Sequence, residues 1–441
     1  MRRICLALPT NRACTEAIAA LGAEAEYAAR RFGAEVRLLI LDTSEPAALA
    51  GNRAAADALR PAPGVVVHHL DEERQRTFLR TALERSGTEE ADRVLGLMLP
   101  DGVSYGACTN RAFLVASALG CTSVHRRDSD GRYQSHEGEP VFPVHHELTS
   151  LGRRAADVAA AGHPTRTRLD PACADRPVAL VGGSFIGEMS VDLEEMSRAD
   201  PAVYHDVVGL SIPAECPEIW RRKLVDESFR GAGTTPFTRD HTTLTAVSPA
   251  RVDMCNISFI DDVYERVPLP PATDTIGSDY FLTHLVHDAK LPGVLHNRHI
   301  VNYYTGERRT DRGFLAYQLR FVRFLLSMHY FNAVYARMTA AGESLLDGDG
   351  HVRASLVAGY VRESTLLDLT ENGERLDVLD RAYRTLGHRY TDVADAMAAR
   401  RQELLDKAAD DMADFALLID AWQPLMRAAR SGEAARALNG A

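Results

Sequence analysis

Hydrophobic positions along this chain follow two rhythms, which meet near Arg312. Before that point, short continuous apolar runs alternate with longer stretches of helical period. Ile4–Leu8, Val36–Leu41 and Val65–His69 are such runs. Turn residues or an acid close the first two, as expected of strands buried on both faces. Apolar positions at Ala19, Leu21, Ala25 and Ala28 predict a helix with Thr15 as its cap. A helix of mixed charge is predicted from Asp71 to Ser86, whereas the Ala-rich stretch Ala47–Pro63 is interrupted by Gly51 and gives no clear helix. A helix over Ala107–Leu119 ends well at Gly120. Further strands are predicted at Thr122–Arg127, Val178–Val181 and Asn256–Phe259. A helix follows at Ser278–Ala289, then strand and loop at Val294–Tyr304. Strands and helices alternating at this spacing predict parallel βαβ units.

After Arg312 the strand pattern disappears. Leu315, Leu319, Val322, Leu326 and Phe331 fall near helical spacing, and the stretch 314–335 is apolar nearly all round. That predicts a buried central helix, with a homodimer face as the alternative. The last part reads as charged amphipathic helices of a small bundle. The expected fold class is α/β. It comprises a mixed, mostly parallel sheet sandwiched by helices over residues 1–310, then a helical module over 311–441. For a chain of 441 residues, a large domain with an added module suits the rule that one core rarely grows past about 250–300 residues.

Composition narrows the class. Hydrophobic residues make up 46% and charged residues 25% of the chain, with a net charge of −11. Lys and Arg are scattered among acids, so no coherent basic face for nucleic acid is expected. A nucleotide needs only a few local cations and stays in play. The seven cysteines are dispersed without a C-x-x-C pair, which reads as reduced thiols. The N-terminal apolar run is five residues long, too short for a signal peptide, and no charge-free span suits a membrane. The cytoplasm is the expected location.

Ligands of parallel α/β sheets bind outside the carboxyl ends of the strands. That rule marks Pro9-Thr10-Asn11-Arg12, Asp128-Ser129-Asp130, Gly182-Gly183-Ser184 and the loop before Ser278. The Asp pair carries the clearest chemistry. At a strand-end turn both carboxylates can converge on one hard cation, Mn2+ or Mg2+, which takes oxygen ligands and keeps substrate phosphates as others. An Asp-Ser-Asp-Gly turn without a ligand is the plain alternative. Gly182 and Gly183 permit close backbone approach to a ligand but lack the G-x-G-x-x-G form. Arg126 and Arg127 either reach donor phosphates or form a solvated pair. Arg298, Arg308 and Arg309 are further candidates for neutralising a diphosphate, with a solvated face as their default reading. His145-His146-Glu147 is set aside as structural, because neighbours on a strand face opposite ways. No G-x-S-x-G elbow marks a serine hydrolase.

Taken in order, these segments resemble the GT-A glycosyltransferases. Ser104-Tyr105-Gly106-Ala107-Cys108-Thr109-Asn110-Arg111-Ala112, preceding the Asp pair, is similar to the helix start that comes before the D-x-D strand in that superfamily. Pro9-Thr10-Asn11-Arg12 resembles its nucleotide-binding first loop. Met254-Cys255-Asn256-Ile257-Ser258-Phe259 resembles its G-G-N-x-x-F strand, with Cys255 where Gly is usual. Gly277-Ser278-Asp279-Tyr280-Phe281-Leu282 resembles its G-E-D-x-x-L helix start, with one acid in place of two. The resemblance covers about residues 3–305, and it implies a nucleotide-diphosphate sugar as donor and a small-molecule acceptor. It further implies donor contacts from Pro9, Thr10, Asn11, Arg12, Arg111, Asp128, Gly182 and Gly183. Asp130 and Asp128 would hold the metal, with His299 or His296 completing its site. Asp279 would be the base for the acceptor hydroxyl in an inverting reaction, or its orienter in a retaining one. The Ala- and Arg-rich composition hints at bacterial secondary metabolism. A nucleotidyltransferase is the alternative enzyme, although Pro9–Arg12 lacks its usual glycines. A non-catalytic module of the same fold is the alternative outside enzymology.

Overall fold

The N-terminal apolar run becomes β1 (Arg3–Thr10), in which Ile4 to Leu8 are all buried. It is followed by α1 (Thr15–Phe32), β2 (Glu35–Asp42), α2 (Pro46–Ala58), β3 (Val65–Leu70), α3 (Glu72–Ser86), α4 (Ala91–Met98), α5 (Tyr105–Ala118) and β4 (Ser123–Arg127). The computed structural model describes residues 2–189, 193–303 and 306–439, the side chains of Glu307, Arg308, Ala437 and Asn439 excepted. Two local expectations are corrected. The cap of α1 is Cys14, and Thr15 is already helical. The stretch after Pro46 does form a helix. Proline opens it at the position where its missing N–H costs nothing, and the buried Asn52 anchors it.

Among the described residues, nine strands form the main sheet. β3, β2, β1 and β4 lie side by side in parallel, followed by Asn256–Ile260, Leu180–Gly182, Gly293–His296, Thr242–Thr245 and Arg166–Thr167. Asn256–Ile260 runs antiparallel to β4, and Thr242–Thr245 runs antiparallel to Gly293–His296. A small sheet of Phe185–Gly187, Ile300–Asn302 and Gly131–Tyr133 stands beside it. The mixed, mostly parallel sheet flanked by helices, with a helical C-terminal part, is the expected fold class.

The helical part shares the core of the sheet. The long helix Asp311–Ala341 buries Phe314, Phe321, Leu325, Tyr330, Val334 and Met338 within the chain. Phe415 of helix Arg401–Ala429 meets Phe281 edge-on at 4.8 Å, and Trp422 Nε1 donates to the Tyr264 carbonyl at 2.8 Å. Among the described residues no helix is long and apolar enough to cross a membrane. All seven cysteines are free thiols.

Asp288, the last residue of helix Phe281–Asp288, packs against the long helix. Thr339 Oγ1 donates to its Oδ1 at 3.0 Å, while its buried Oδ2 has no partner. Burial raises its pKa to about 6, and the negative end of a helix dipole is a poor place for a carboxylate. The native state therefore holds this proton more tightly than the unfolded chain does. Its destabilising contribution grows as pH rises from about 4 to 6 and then levels off. The stability of Asp288→Asn relative to wild type is expected to rise by about 1–2 kcal/mol between pH 4 and pH 8. Denaturant titrations at the two pH values measure this, and a difference independent of pH would remove Asp288 from the account.

Candidate functional site

At the carboxyl ends of β1, β2, β3 and β4 the chain leaves a cavity of about 1640 Å³. Pro9, Thr10, Asn11 and Arg12 line it from β1, Asp128, Ser129 and Asp130 from β4, and Arg111 from α5. Asp279 reaches it from the turn Ser278–Tyr280. The structure thus brings these predicted residues together, although they are distant in sequence.

The first loop is held from behind. Thr10 Oγ1 accepts from Arg12 N at 3.3 Å, and Asn52 Nδ2 donates to the Arg12 carbonyl at 2.9 Å and to Asp42 Oδ2 at 3.0 Å. Asn52 Oδ1 accepts from Cys14 N at 2.9 Å. His69 Nε2 lies 3.0 Å from the same Asp42 oxygen. Arg111 is buried, which lowers its pKa. Its Nε donates to Gln75 Oε1 at 2.7 Å and its Nη1 to the Met98 carbonyl at 2.5 Å. Among the described residues no carboxylate is bonded to it. A buried guanidinium held only by neutral acceptors and open to a cavity is suited to an anion.

The same cavity holds a cluster of acids around Arg126. The buried Arg126 donates from Nη1 to Asp279 Oδ2 at 2.6 Å, and its Nη2 lies 3.0 Å from Asp128 Oδ1. Arg12 Nη1 donates to Asp130 Oδ2 at 3.5 Å. Burial pushes Asp128 up to about 7; Arg126 opposes this, and Asp130, Asp253 and Asp279 add to it. Asp279 is likewise raised by burial and by Asp253, against the pull of Arg126. Asp253 lines the same cavity, accepting from Tyr280 OH at 2.6 Å and Cys255 N at 2.9 Å. Sequence reasoning missed it, since a single Asp before a strand carries no signal. Its neighbour two residues on, Cys255, falls in one of the motifs.

Other expectations are corrected. Arg126 and Arg127 form no solvated pair: both are buried. Arg127 faces away from Asp279 and forks onto Glu24 and Glu147. His145, His146 and Glu147 lie on a helix, Val144–Ser150, and not on a strand. Their side chains part all the same, His145 to Tyr27, His146 to Asp240 and Glu147 to Arg127 and His125. Gly182, Gly183, His296 and His299 do not line the cavity that holds the Asp pair. The close approach that glycine allows at Gly183 is to protein: a Cβ there would come 2.6 Å from Asn256 Nδ2 and 2.7 Å from His296 Cε1. His296 is buried against His146, with both ring nitrogens unbonded, and burial holds its pKa well below the ordinary value. His299 Nδ1 accepts from Ser184 N at 3.0 Å, and burial lowers it to about 4. Arg298 pairs with Asp240 at 2.7 Å and Arg309 with Glu188 at 2.8 Å. The Arg308 side chain lies outside the described residues.

The donors present fit a hard cation in one manner. Among the described residues no three His, Cys, Asp or Glu side chains converge as a ligand set. Asp128 and Asp130 offer carboxylate oxygens to the cavity, with Asp253 and Asp279 nearby adding negative charge against Arg126. A cation taking one or two carboxylates and completing its shell with water and phosphate oxygens matches that supply, and a cage made by the protein alone does not.

One family model, described as "Family of unknown function (DUF6271)", matches residues 2–438. No curated protein matches the chain. Among solved structures, "Mannosyltransferase PcManGT from Pyrobaculum calidifontis in complex with GDP-Man and Mn2+" is similar at 13% identity. The match covers 96% of this chain and 87% of that one, with a TM-score of 0.37. A likeness that loose assigns no chemistry to this chain.

Proposed function

We propose that this chain, which belongs to the DUF6271 family, is a metal-assisted glycosyltransferase that moves a sugar from a nucleotide-diphosphate sugar to a small-molecule acceptor. One observation carries the reading. A single cavity at the strand ends holds a carboxylate pair together with a buried Arg111 that, among the described residues, is bonded to neutral acceptors alone. A cation shared with a diphosphate, and a guanidinium on that diphosphate, answer both features.

In this reading Pro9–Arg12 cradles the nucleotide, and Arg111 takes diphosphate oxygens. Asp130, with Asp128, holds the divalent cation, whose chemistry is charge neutralisation at the leaving diphosphate. The acceptor oxygen bonds to the anomeric carbon as the bond from that carbon to the phosphate oxygen breaks. The electron pair leaves with the nucleoside diphosphate, and the acceptor proton passes to Asp279 if the carbon inverts. Arg126 keeps the Asp279 carboxylate in place.

Melting curves with UDP, GDP and TDP, each with and without Mn2+, test the donor half. A ligand that binds only the native state raises the melting temperature by mass action. At least one nucleotide is expected to do so in a Mn2+-dependent manner. Asp130→Ala is expected to weaken that binding by about tenfold or more while keeping the fold. Unchanged nucleotide affinity in the variant would sink the metal assignment.

A further inference from the structure

We infer that the part of the cavity walled by the long helix receives the acceptor, and that the acceptor is a hydroxyl-bearing small molecule with an elongated apolar body. The hydroxyl rests on the glycosyltransferase reading; the apolar body rests on the walls alone.

Volume is the first observation. Sites for drug-sized ligands run to about 300–1,000 Å³, and this cavity holds about 1640 Å³. The strand-end groups occupy one end of it. Much of the remainder lies along one face of Asp311–Ala341, where Phe324, Met328, Asn332, Tyr335 and Ala336 follow one another at helical steps and line the cavity, with Arg320 one turn before them and His329 beside Met328. At 1.5 Å per residue, the stretch from 324 to 336 spans about 18 Å.

The stripe begins beside Asp279. Gly277 has φ 72°, and a Cβ there would come 2.8 Å from the Phe324 ring. The aromatic ring therefore sits on the turn that carries the candidate base. Phe229 meets Phe324 edge-on at 6.0 Å, and His284 stacks on Tyr335 at 3.7 Å with the rings nearly parallel at 4°. Burial lowers His284 to about 3, so its imidazole is neutral at ordinary pH. Asn332, a polar member of the stripe, donates to the Ser211 carbonyl at 3.4 Å. Glu371 and Arg375, which also line the cavity, pair with each other at 2.8 Å and flank the stripe: Glu371 Oε2 lies 3.1 Å from His329 Nδ1, and Arg375 Nη1 donates to the Leu325 carbonyl at 2.9 Å. Glu215 and Glu227 stand on the segment 211–231, which also brings Ile212 and Leu224 to the cavity. A stripe of aromatic and apolar side chains leading away from Asp279, with Arg320 one turn before Phe324 and the ion-paired Glu371 and Arg375 beside it, suits a ligand that offers one hydroxyl there and lays apolar surface along the helix.

The test is isothermal titration of the full chain with primary alcohols from butanol to decanol, with glycerol as the polar control. Affinity is expected to tighten about three- to fourfold per methylene, with no binding of glycerol. Ala336→Glu, at an exposed position of the helix, and Met328→Gln, close in volume to the original, are each expected to weaken decanol binding more than tenfold. The nucleotide-induced rise in melting temperature, measured without alcohol, should be unchanged in both. Affinity independent of chain length, or a length dependence intact in both variants, would overturn the inference while leaving the donor reading untouched. A length dependence lost in both variants supports the inference even where no nucleotide binds, and then the glycosyltransferase reading is what fails.

Discussion

In Asp279→Asn, turnover is expected to fall by about 10²–10⁴-fold, the usual cost of losing a general base, while donor binding stays at the wild-type level. The substitution is nearly isosteric, and Arg126, which loses one carboxylate, keeps Asp128 at 3.0 Å. Stability should hold or rise. Burial and Asp253 raise the Asp279 pKa even against Arg126, so the ionised carboxylate is a burden on the native state above the ordinary carboxylate pKa, and an amide relieves it. An activity loss joined to unchanged or increased stability is the pattern of a site residue. A helix-end charge of purely structural value would show the reverse, a small loss of stability with unchanged turnover. Transfer to a confirmed acceptor, donor affinity and melting temperature are the three measurements. Wild-type turnover in the variant would remove Asp279 from the chemistry.

Much of this site could be read before any coordinates, and the reasons are local. β1, β2 and β4 are continuous apolar runs or end in turn residues, and the strand-end rule then places Pro9–Arg12 and Asp128–Asp130 at one edge of the sheet. What escaped reading was non-local. Arg126 and Arg127 look like surface residues, because arginine is rarely buried unless paired. Their partners Asp279, Glu24 and Glu147 lie 153, 103 and 20 positions away. Helix Val144–Ser150 spans seven residues, too few for a period to declare itself against a strand. The long helix reads as core from its apolar pattern, and Phe314, Phe321, Leu325, Tyr330, Val334 and Met338 are buried. That one stripe faces a cavity depends on how the segment 211–231, with its helix Glu218–Glu227, arches over it from contacts at Ser211 and Phe229, which no periodicity within the helix encodes. The histidines 296 and 299 failed for a related reason: residues adjacent in sequence to a site can sit behind its wall, as they do beneath Gly183 and Ser184.

Arg127→Met is expected to destabilise the chain by about 3–5 kcal/mol, the cost of leaving buried charges without their partner. Arg127 is buried and donates to Glu24 from Nε at 3.0 Å and Nη2 at 2.8 Å, and to Glu147 from Nη1 at 3.1 Å and Nη2 at 2.9 Å. Both acids are fully buried. Tyr133 OH and Val144 N also donate to Glu24, and His125 Nδ1 lies 2.7 Å from Glu147 Oε2. The cluster therefore ties α1, β4, the strand Gly131–Tyr133 and the helix Val144–Ser150 together directly behind the Asp128–Asp130 turn. Although burial opposes its ionisation, Arg127 and His125 pull Glu147 down to about 2. A depressed carboxylate stabilises the native state above its unfolded pKa, and the contribution is lost as pH falls toward 2. Without Arg127 that depression should largely vanish, so the variant should unfold at a markedly higher pH on acidification than wild type. Arg127→Lys should fare little better, since an ammonium cannot fork onto two carboxylates at once. Adding Glu24→Gln and Glu147→Gln to Arg127→Met should recover part of the loss, because the uncompensated charge is what makes the single change costly. Urea titrations at pH 7 and acid titrations of the three variants give the numbers. A loss below about 1 kcal/mol in Arg127→Met, the range of an exposed ion pair, would show that the cluster contributes no more than a surface bridge and that the Asp128–Asp130 turn is held by something else.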